Sequence, residues 1–247
     1  MSAPRVRLWA VAFWLFLWHL ASIALDSRLL LVSPVEVLQR LLELVKTRSF
    51  WSSIAFSLSH IALGFFLACI AGSLLAALAA RFRHIRELLL PIILTIKSVP
   101  VASFVVLALI WLSSKRLSVF ISFLIVFPVI YTNLLEGICQ LNRELAEMAQ
   151  VFQVPFSRRL GYLYLPQLLP FFRSACQVSL GLCWKSGIAA EVIGIPEGSV
   201  GAKLQQAKIY LDTPDLFAWT FTIVLLSLIC EKLFLKLLDA KPFQFFH

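Results

Sequence analysis

The stretch EMAQVFQVPFSRRLGYLYLP, Glu147 to Pro166, interrupts a chain that is 60% apolar and only 14% charged. Around its start, Leu145, Met148 and Phe152 recur at helical spacing on one face, opposite Glu144, Glu147 and Gln150. Pro155 disfavours helix at Val154, and Ser157 stands where a cap for a second helix, running through Tyr164, is expected. The spacing predicts two short amphipathic helices joined at an elbow, too polar to cross lipid.

The rest of the chain reads as membrane. Its mean hydropathy is +0.90, far from the roughly half-apolar, quarter-charged mix of soluble domains. Six apolar runs occupy about 8–25, 54–80, 88–112, 117–137, 168–194 and 216–238. A helix needs about 20 apolar residues to cross roughly 30 Å of hydrocarbon, and continuous runs exclude the alternating pattern of a membrane barrel. The expected fold is an all-α membrane protein of about six transmembrane helices, with the polar segment between the fourth and fifth.

Lysine and arginine set the expected orientation, because short cytoplasmic loops are enriched in them. With the N-terminus inside, eleven basic residues fall on the cytoplasmic side, from Arg5 and Arg7 through Arg81, Arg143, Arg158 and Arg159 to Lys241, against eight outside. Both termini and the segment at 144–166 are expected in the cytoplasm. The net charge of +9 reads as this topology and not as a nucleic-acid surface, since the basic residues sit in short loops between apolar runs.

Residues 1–50 are expected to form one span followed by an amphipathic helix, PVEVLQRLLELVK. That helix places Val35, Leu38, Leu42 and Val45 on one face and Glu36, Gln39, Glu43 and Lys46 on another, which suits the outer membrane interface. The alternative for the first span is a cleaved signal peptide, which would leave five spans. Its 18-residue apolar core exceeds the usual h-region of about 7–15 residues, and no clean A-x-A site follows.

Residues 51–240 form the core and 241–247 a cytoplasmic tail. In the second span Gly64, Ala68, Gly72, Ala76 and Ala80 recur every four positions, a stripe that lets helix backbones approach closely, within one subunit or between two. Pro100, which follows Lys97 and Ser98, and Pro128 are expected to kink the third and fourth spans. Cys69, Cys139, Cys176, Cys183 and Cys230 show no metal-ligand spacing and read as small hydrophobes.

The opening segment resembles the EAA motif of bacterial ABC-importer permeases, roughly E-A-A, three residues, G, nine residues, I-x-L-P. Glu147, Met148 and Ala149 stand at the first three positions, Gln153 at the glycine, and Leu163, Tyr164, Leu165 and Pro166 at the last four. Met148 and Gln153 depart from the pattern, and Pro155 is the residue left to supply the bend. WSSIAFSLSHIALGFFLACIAGSLLAAL from Trp51, PIILTIKSVPVASFVVLALIW from Pro91 and AAEVIG from Ala189 are similar to the nitrate, sulfonate and taurine subgroup, so the likeness covers about residues 51–240.

That resemblance implies a type I ABC importer permease in the bacterial inner membrane. Two permease subunits, read here as a homodimer, would pair with a cytoplasmic ABC ATPase dimer and an extracytoplasmic substrate-binding protein. ATP and Mg would be used by the ATPase, with no cofactor bound by this chain. The resemblance implies an ATPase-coupling role for Glu147, Met148, Ala149, Gln153, Leu163, Leu165 and Pro166, with Arg158 and Arg159 available to acidic groups or lipid phosphates.

Chemistry of the chain's own is not indicated. GLCWKS, from Gly181, puts Trp184 where a Walker A loop requires glycine. No HExxH, G-x-S-x-G or clustered carboxylates occur in the polar loops, and His19, His60, His84 and His247 are dispersed. The chain is therefore read as a transport subunit and not an enzyme.

Three ionisable residues lie at lipid depth: Lys97, Lys185 and Glu191. Each costs about 2.5–3.5 kcal/mol on insertion scales, so each marks a translocation pathway or a structural pairing. Lys97, beside Ser98 and Pro100, falls near the midplane, where a cation suits a small anion such as a sulfonate, taurine or nitrate. By family resemblance the same outline serves thiamine-precursor pyrimidines and riboflavin. A secondary transporter is the rival reading, but it would show an inverted repeat. The loop from Ile195 to Asp215 is expected to face the binding protein or to form part of an outer gate.

Overall fold

The computed structural model describes residues 8–25 and 31–238. The tail at 241–247, His247 and the basic residues Arg5, Arg7, Arg28 and Lys241 lie outside them. The described elements are all helical: α1 (Leu8–Leu25), α2 (Pro34–Val45), α3 (Arg48–Arg81), α4 (Arg83–Ser98), α5 (Val101–Ala108), α6 (Ser114–Cys139), α7 (Arg143–Val151), α8 (Phe156–Arg159), a π turn (Leu160–Tyr164), α9 (Leu165–Gly194), α10 (Val200–Ile209) and α11 (Thr213–Leu238). By length and composition α3 and α6 can each cross a membrane, and α4 with α5 makes a third crossing if that bent pair counts as one.

The core is a clasp of three helices, with α6 held between α3 and α9. Its closeness comes from small residues. A Cβ on Gly64 would lie 2.4 Å from the Val119 carbonyl oxygen and 2.8 Å from Ser122 Cβ; one on Gly187 would lie 2.7 Å from Ile61 Cγ1 and 2.8 Å from Ser122 Oγ. Gly64, Ala68, Gly72 and Ala76 are all buried, but Ala80 is exposed and Ala79 takes the buried place. The expected stripe fails at its last member because four residues turn an α-helix by about 400°, so each step drifts by about 40°.

The buried thiols Cys69, Cys176 and Cys183 join this core, with Cys230 half-buried beside it, whereas Cys139 is exposed. Pro128 leaves α6 continuous. Pro100 does more than kink its span: α4 stops at Ser98, α5 starts at Val101, and the two meet at 104°.

The N-terminal elements sit outside the clasp. Trp9, Trp14 and Phe16 of α1 are exposed, and Trp18 reaches Phe217 with ring centroids 5.7 Å apart. In α2, Ser33 Oγ caps the first turn by accepting from Glu36 N–H at 3.3 Å. A second apolar stripe, Val37, Leu41 and Leu44, packs with Trp18, Phe217 and Ala218, while the stripe Val35, Leu38, Leu42 and Val45 faces outward. Arg40 ties α2 to α11 by donating through Nε to Asp215, and it donates through Nη1 to Glu43 at 2.8 Å; these two carboxylates hold the guanidinium above its ordinary pKa.

The clasp makes a contrast between two glycines measurable. Gly64→Val should destabilise the folded protein by about 1–3 kcal/mol, the usual cost of overpacking. Gly181→Ala, whose Cβ would meet nothing within 4 Å, should keep its stability or raise it by up to about 1 kcal/mol, the helix-propensity gain. Thermal unfolding in detergent, with the melting temperature falling for the first variant only, checks both.

Candidate functional site

Two regions carry most of the polar residues singled out by sequence, one at the α7 end of the clasp and one along it. At the α7 end, Asn142 Oδ1 caps α7 by accepting from Leu145 N–H at 3.2 Å, and Gln167 Oε1 accepts from Asn142 N–H at 3.1 Å. That pair anchors α7 to the first turn of α9. The helix then ends in a closed hydrogen-bonded loop: Gln153 N–H donates to Gln150 O and Val154 N–H to Ala149 O, both at 3.0 Å.

In this Schellman arrangement the residue after the cap takes the left-handed conformation, which favours glycine. Gln153 holds it, with φ of 50°. The residue at the glycine position of the motif thus builds the sharp turn despite its side chain.

The second helix differs from expectation. It begins at Phe156 with Pro155 at the cap position, whose fixed φ suits a helix start, so Ser157 does not cap it. Nor does it end at Tyr164, because α8 passes through the π turn directly into α9.

The elbow stands clear of the bundle. Glu147 and Met148 are exposed, Ala149 is half-covered, and Val151, Phe152 and Phe156 are 78%, 73% and 64% exposed. Leu163 and Pro166 are half-buried against the start of α9 and Leu165 is exposed. Arg158 is open and Arg159 half-buried.

The second region runs along the clasp. Lys97 and Ser98 are exposed at the α4–α5 break. Lys97 Nζ reaches Thr132 Oγ1 of α6 at 3.4 Å, Ser98 Oγ donates to Leu94 O, and Pro100 starts α5 by accepting from Ser103 N–H. Lys185 is exposed on α9 and bonds to neither Lys97 nor Glu191.

Sequence reading missed the company Lys185 keeps. Arg173, Ser174 and Gln177 are exposed on the same helix, and Arg173, Gln177, Gly181 and Lys185 step by four. That periodicity of polar residues inside an apolar run was the available signal.

Glu191 lies elsewhere. It is fully buried at the far end of α9, where Oε2 accepts from Ser57 Oγ at 2.7 Å and from Gly201 N–H at 3.1 Å. Ser57 Oγ in turn accepts from Val200 N–H at 2.9 Å. The contact joins α3, α9 and the first turn of α10, and neither Ser57 nor Gly201 stood out in the sequence. No group of three or more metal-ligating side chains occurs among the described residues.

A family model described as binding-protein-dependent transport system inner membrane component matches residues 47–241. The taurine transport system permease protein TauC of Escherichia coli (strain K12) is 27% identical over 220 residues, 87% of this chain and 80% of its own length. SsuC of Bacillus subtilis (strain 168), a permease protein named for aliphatic sulfonates, is 25% identical over 243 residues, 98% and 84% of the two chains. The formylaminopyrimidine transport permease protein ThiX of Halalkalibacterium halodurans is 24% identical over 215 residues, 86% and 85%.

The elbow's conformation can be tested at Gln153. A left-handed non-glycine residue costs about 1–2 kcal/mol, more for a β-branched side chain. Gln153→Gly should keep or raise the protection of the amides closing α7, and Gln153→Val should lower it by about tenfold, the equivalent of about 1.4 kcal/mol. Hydrogen exchange over residues 148–156 reads the difference.

Proposed function

The chain belongs to the binding-protein-dependent transport system inner membrane components, the permeases of ABC importers, and from that premise we propose how its two regions divide the work. It crosses the membrane about six times, with α1, α3, the broken α4–α5 pair, α6, α9 and α11 as the spans and both termini in the cytoplasm. The α7–α8 elbow then lies on the cytoplasmic face. There it is the coupling segment that docks in a cleft of a separate ATPase, two copies of this chain meeting an ATPase dimer that carries the ATP and Mg.

The observation that carries this reading is the elbow's geometry. A left-handed Gln153 sets two short amphipathic helices at an angle, with Met148, Val151, Phe152 and Phe156 projecting from the bundle. Amphipathic helices of this spacing dock through such anchors. Because α8 continues into α9, a displacement of the elbow passes straight to a span, as a switch joining two sites requires.

We also propose that the exposed polar stripe of α9 and the Lys97 break line the passage, with a second copy closing it. Polar side chains at lipid depth face a water-filled cavity or another subunit and not hydrocarbon. Cations along both walls favour a small anion of the sulfonate, taurine or nitrate kind, delivered by an extracytoplasmic binding protein. The relative named for a formylaminopyrimidine keeps a neutral pyrimidine as the second reading.

Two measurements test these assignments. Replacing Glu147 with Arg and Ala149 with Trp should abolish co-purification of the partner ATPase while the permease still inserts and melts as wild type; retained association and uptake would sink the coupling role. Lys97→Gln or Lys185→Gln should lower uptake of a sulfonate in proteoliposomes by about tenfold, a loss of about 1.4 kcal/mol per cation. Unchanged anion uptake with either variant would move that lysine out of the passage.

A further inference from the structure

The loop between α9 and α11 contains one ordered helix, α10, and its attachment to the bundle is unusual. Its first turn presents N–H groups that have no partner inside the helix. Here they are shared out among three oxygens: Val200 N–H to Ser57 Oγ, Gly201 N–H to Glu191 Oε2, and Ala202 N–H to Ser199 Oγ.

Two of those acceptors belong to spans, so α10 is fixed to α3 and α9 through its N-terminal turn. The approach is close enough that a Cβ on Gly201 would lie 2.3 Å from Glu191 Cβ and 2.7 Å from its carbonyl carbon. Glu191 Oε1 has no hydrogen-bond partner among the described residues, and the buried Ser118 lies beside the carboxylate.

The connections on either side of α10 carry strain. Ile195, immediately after α9, has φ of 47°, and Leu211, two residues past the end of α10, has φ of 56°. Both are left-handed non-glycine residues, and Ile195 is β-branched, a rare conformation that persists only when surrounding contacts hold it. Two adjoining cavities of about 340 and 350 Å³ run along the helix past Lys203, Gln206 and Tyr210, one toward Phe50 and Trp219 and the other toward Ile195 and Gly198. A buried attachment, a strained residue in each connection and open space alongside are the parts of a hinged element.

We propose that α10 is a hinged gate helix at the extracytoplasmic mouth, that Ile195 and Leu211 are its pivots, and that Glu191 with Ser57 is the latch holding it shut. Glu191 is on this view a positioning residue that never meets the solute. It sits on the helix that begins at the coupling elbow, so movement of α9 draws the carboxylate away from the Gly201 amide and frees α10. The gating role rests on the reading of the chain as an importer permease, but the latch itself does not.

The test is hydrogen exchange on the full chain in nanodiscs, joined to transport by the reconstituted permease, ATPase and binding protein. Glu191→Ala and Gly201→Ala should each raise exchange of the 199–206 amides by at least about tenfold while α6 and α7 keep wild-type protection. Glu191→Gln, which keeps an oxygen to accept from Gly201 N–H, should stay close to wild type. The Ala variants should also hydrolyse ATP without the binding protein and import less solute per ATP, with ATPase association intact.

Exchange that is unchanged in the Ala variants, or that rises equally in α6 and α7, would overturn the latch. Selective exchange with wild-type coupling would overturn the gate. If the wild-type permease retains no ATPase, the importer reading itself fails, and the exchange arm still decides the latch.

Discussion

Helices in lipid are not driven together by expulsion of water, so they associate by close packing and by polar contacts. In this protein that constraint is met at Ser122 of α6, which Gly64 of α3 and Gly187 of α9 both approach at distances that leave no room for a methyl group. The consequence is mechanical. A helix so held cannot slide without separating backbones, because packed interiors resist small deformation. The 30 residues of α9, about 45 Å at 1.5 Å per residue, therefore behave as a strut joined at one end to the π turn and elbow and at the other to Glu191 and α10.

Sharp backbone turns are correspondingly confined to the ends. Among the described residues, the three non-glycine residues with left-handed backbone, Gln153, Ile195 and Leu211, follow α7, α9 and α10. None lies within α3 or α6. Proline follows closely in each case, at 155, 196 and 214, and proline cannot continue the preceding helix. The chain thus places sharp, strained turns where elements leave the clasp, and that strain is maintained by the surrounding contacts.

How legible this was in the sequence differs from residue to residue. The apolar runs are long and continuous, so the positions of α3 and α6, the two helices that can each cross a membrane, were legible directly. The spacing of Glu147, Gln153 and Leu163 likewise located the elbow. Ser157 misled because its hydroxyl is a good cap in isolation, whereas Pro155, two residues earlier, already supplies the helix-ready φ. Ala80 misled because a four-residue repeat is not the 3.6-residue period of the helix. The partners of Glu191 were invisible for a different reason: Ser57 lies 134 residues away and meets the carboxylate only after α3 and α9 have packed.

The ionisable residues singled out within the apolar runs sort by exposure in a way that spacing could not reveal. Glu191 is enclosed and accepts two hydrogen bonds, which is how a buried polar group is tolerated in a low-dielectric interior. Lys97 has one long contact, and Lys185 has no partner among the described residues. Lys185 sits nine residues before the end of α9, about 14 Å along the axis, farther than a lysine side chain of about 6 Å can snorkel. A cation left there against hydrocarbon would bear its full insertion cost. On the proposed reading of α9 as a span, its tolerance calls for water or a second chain along that face, and the neighbouring Gln177 and Ser174 extend the same polar face along the helix.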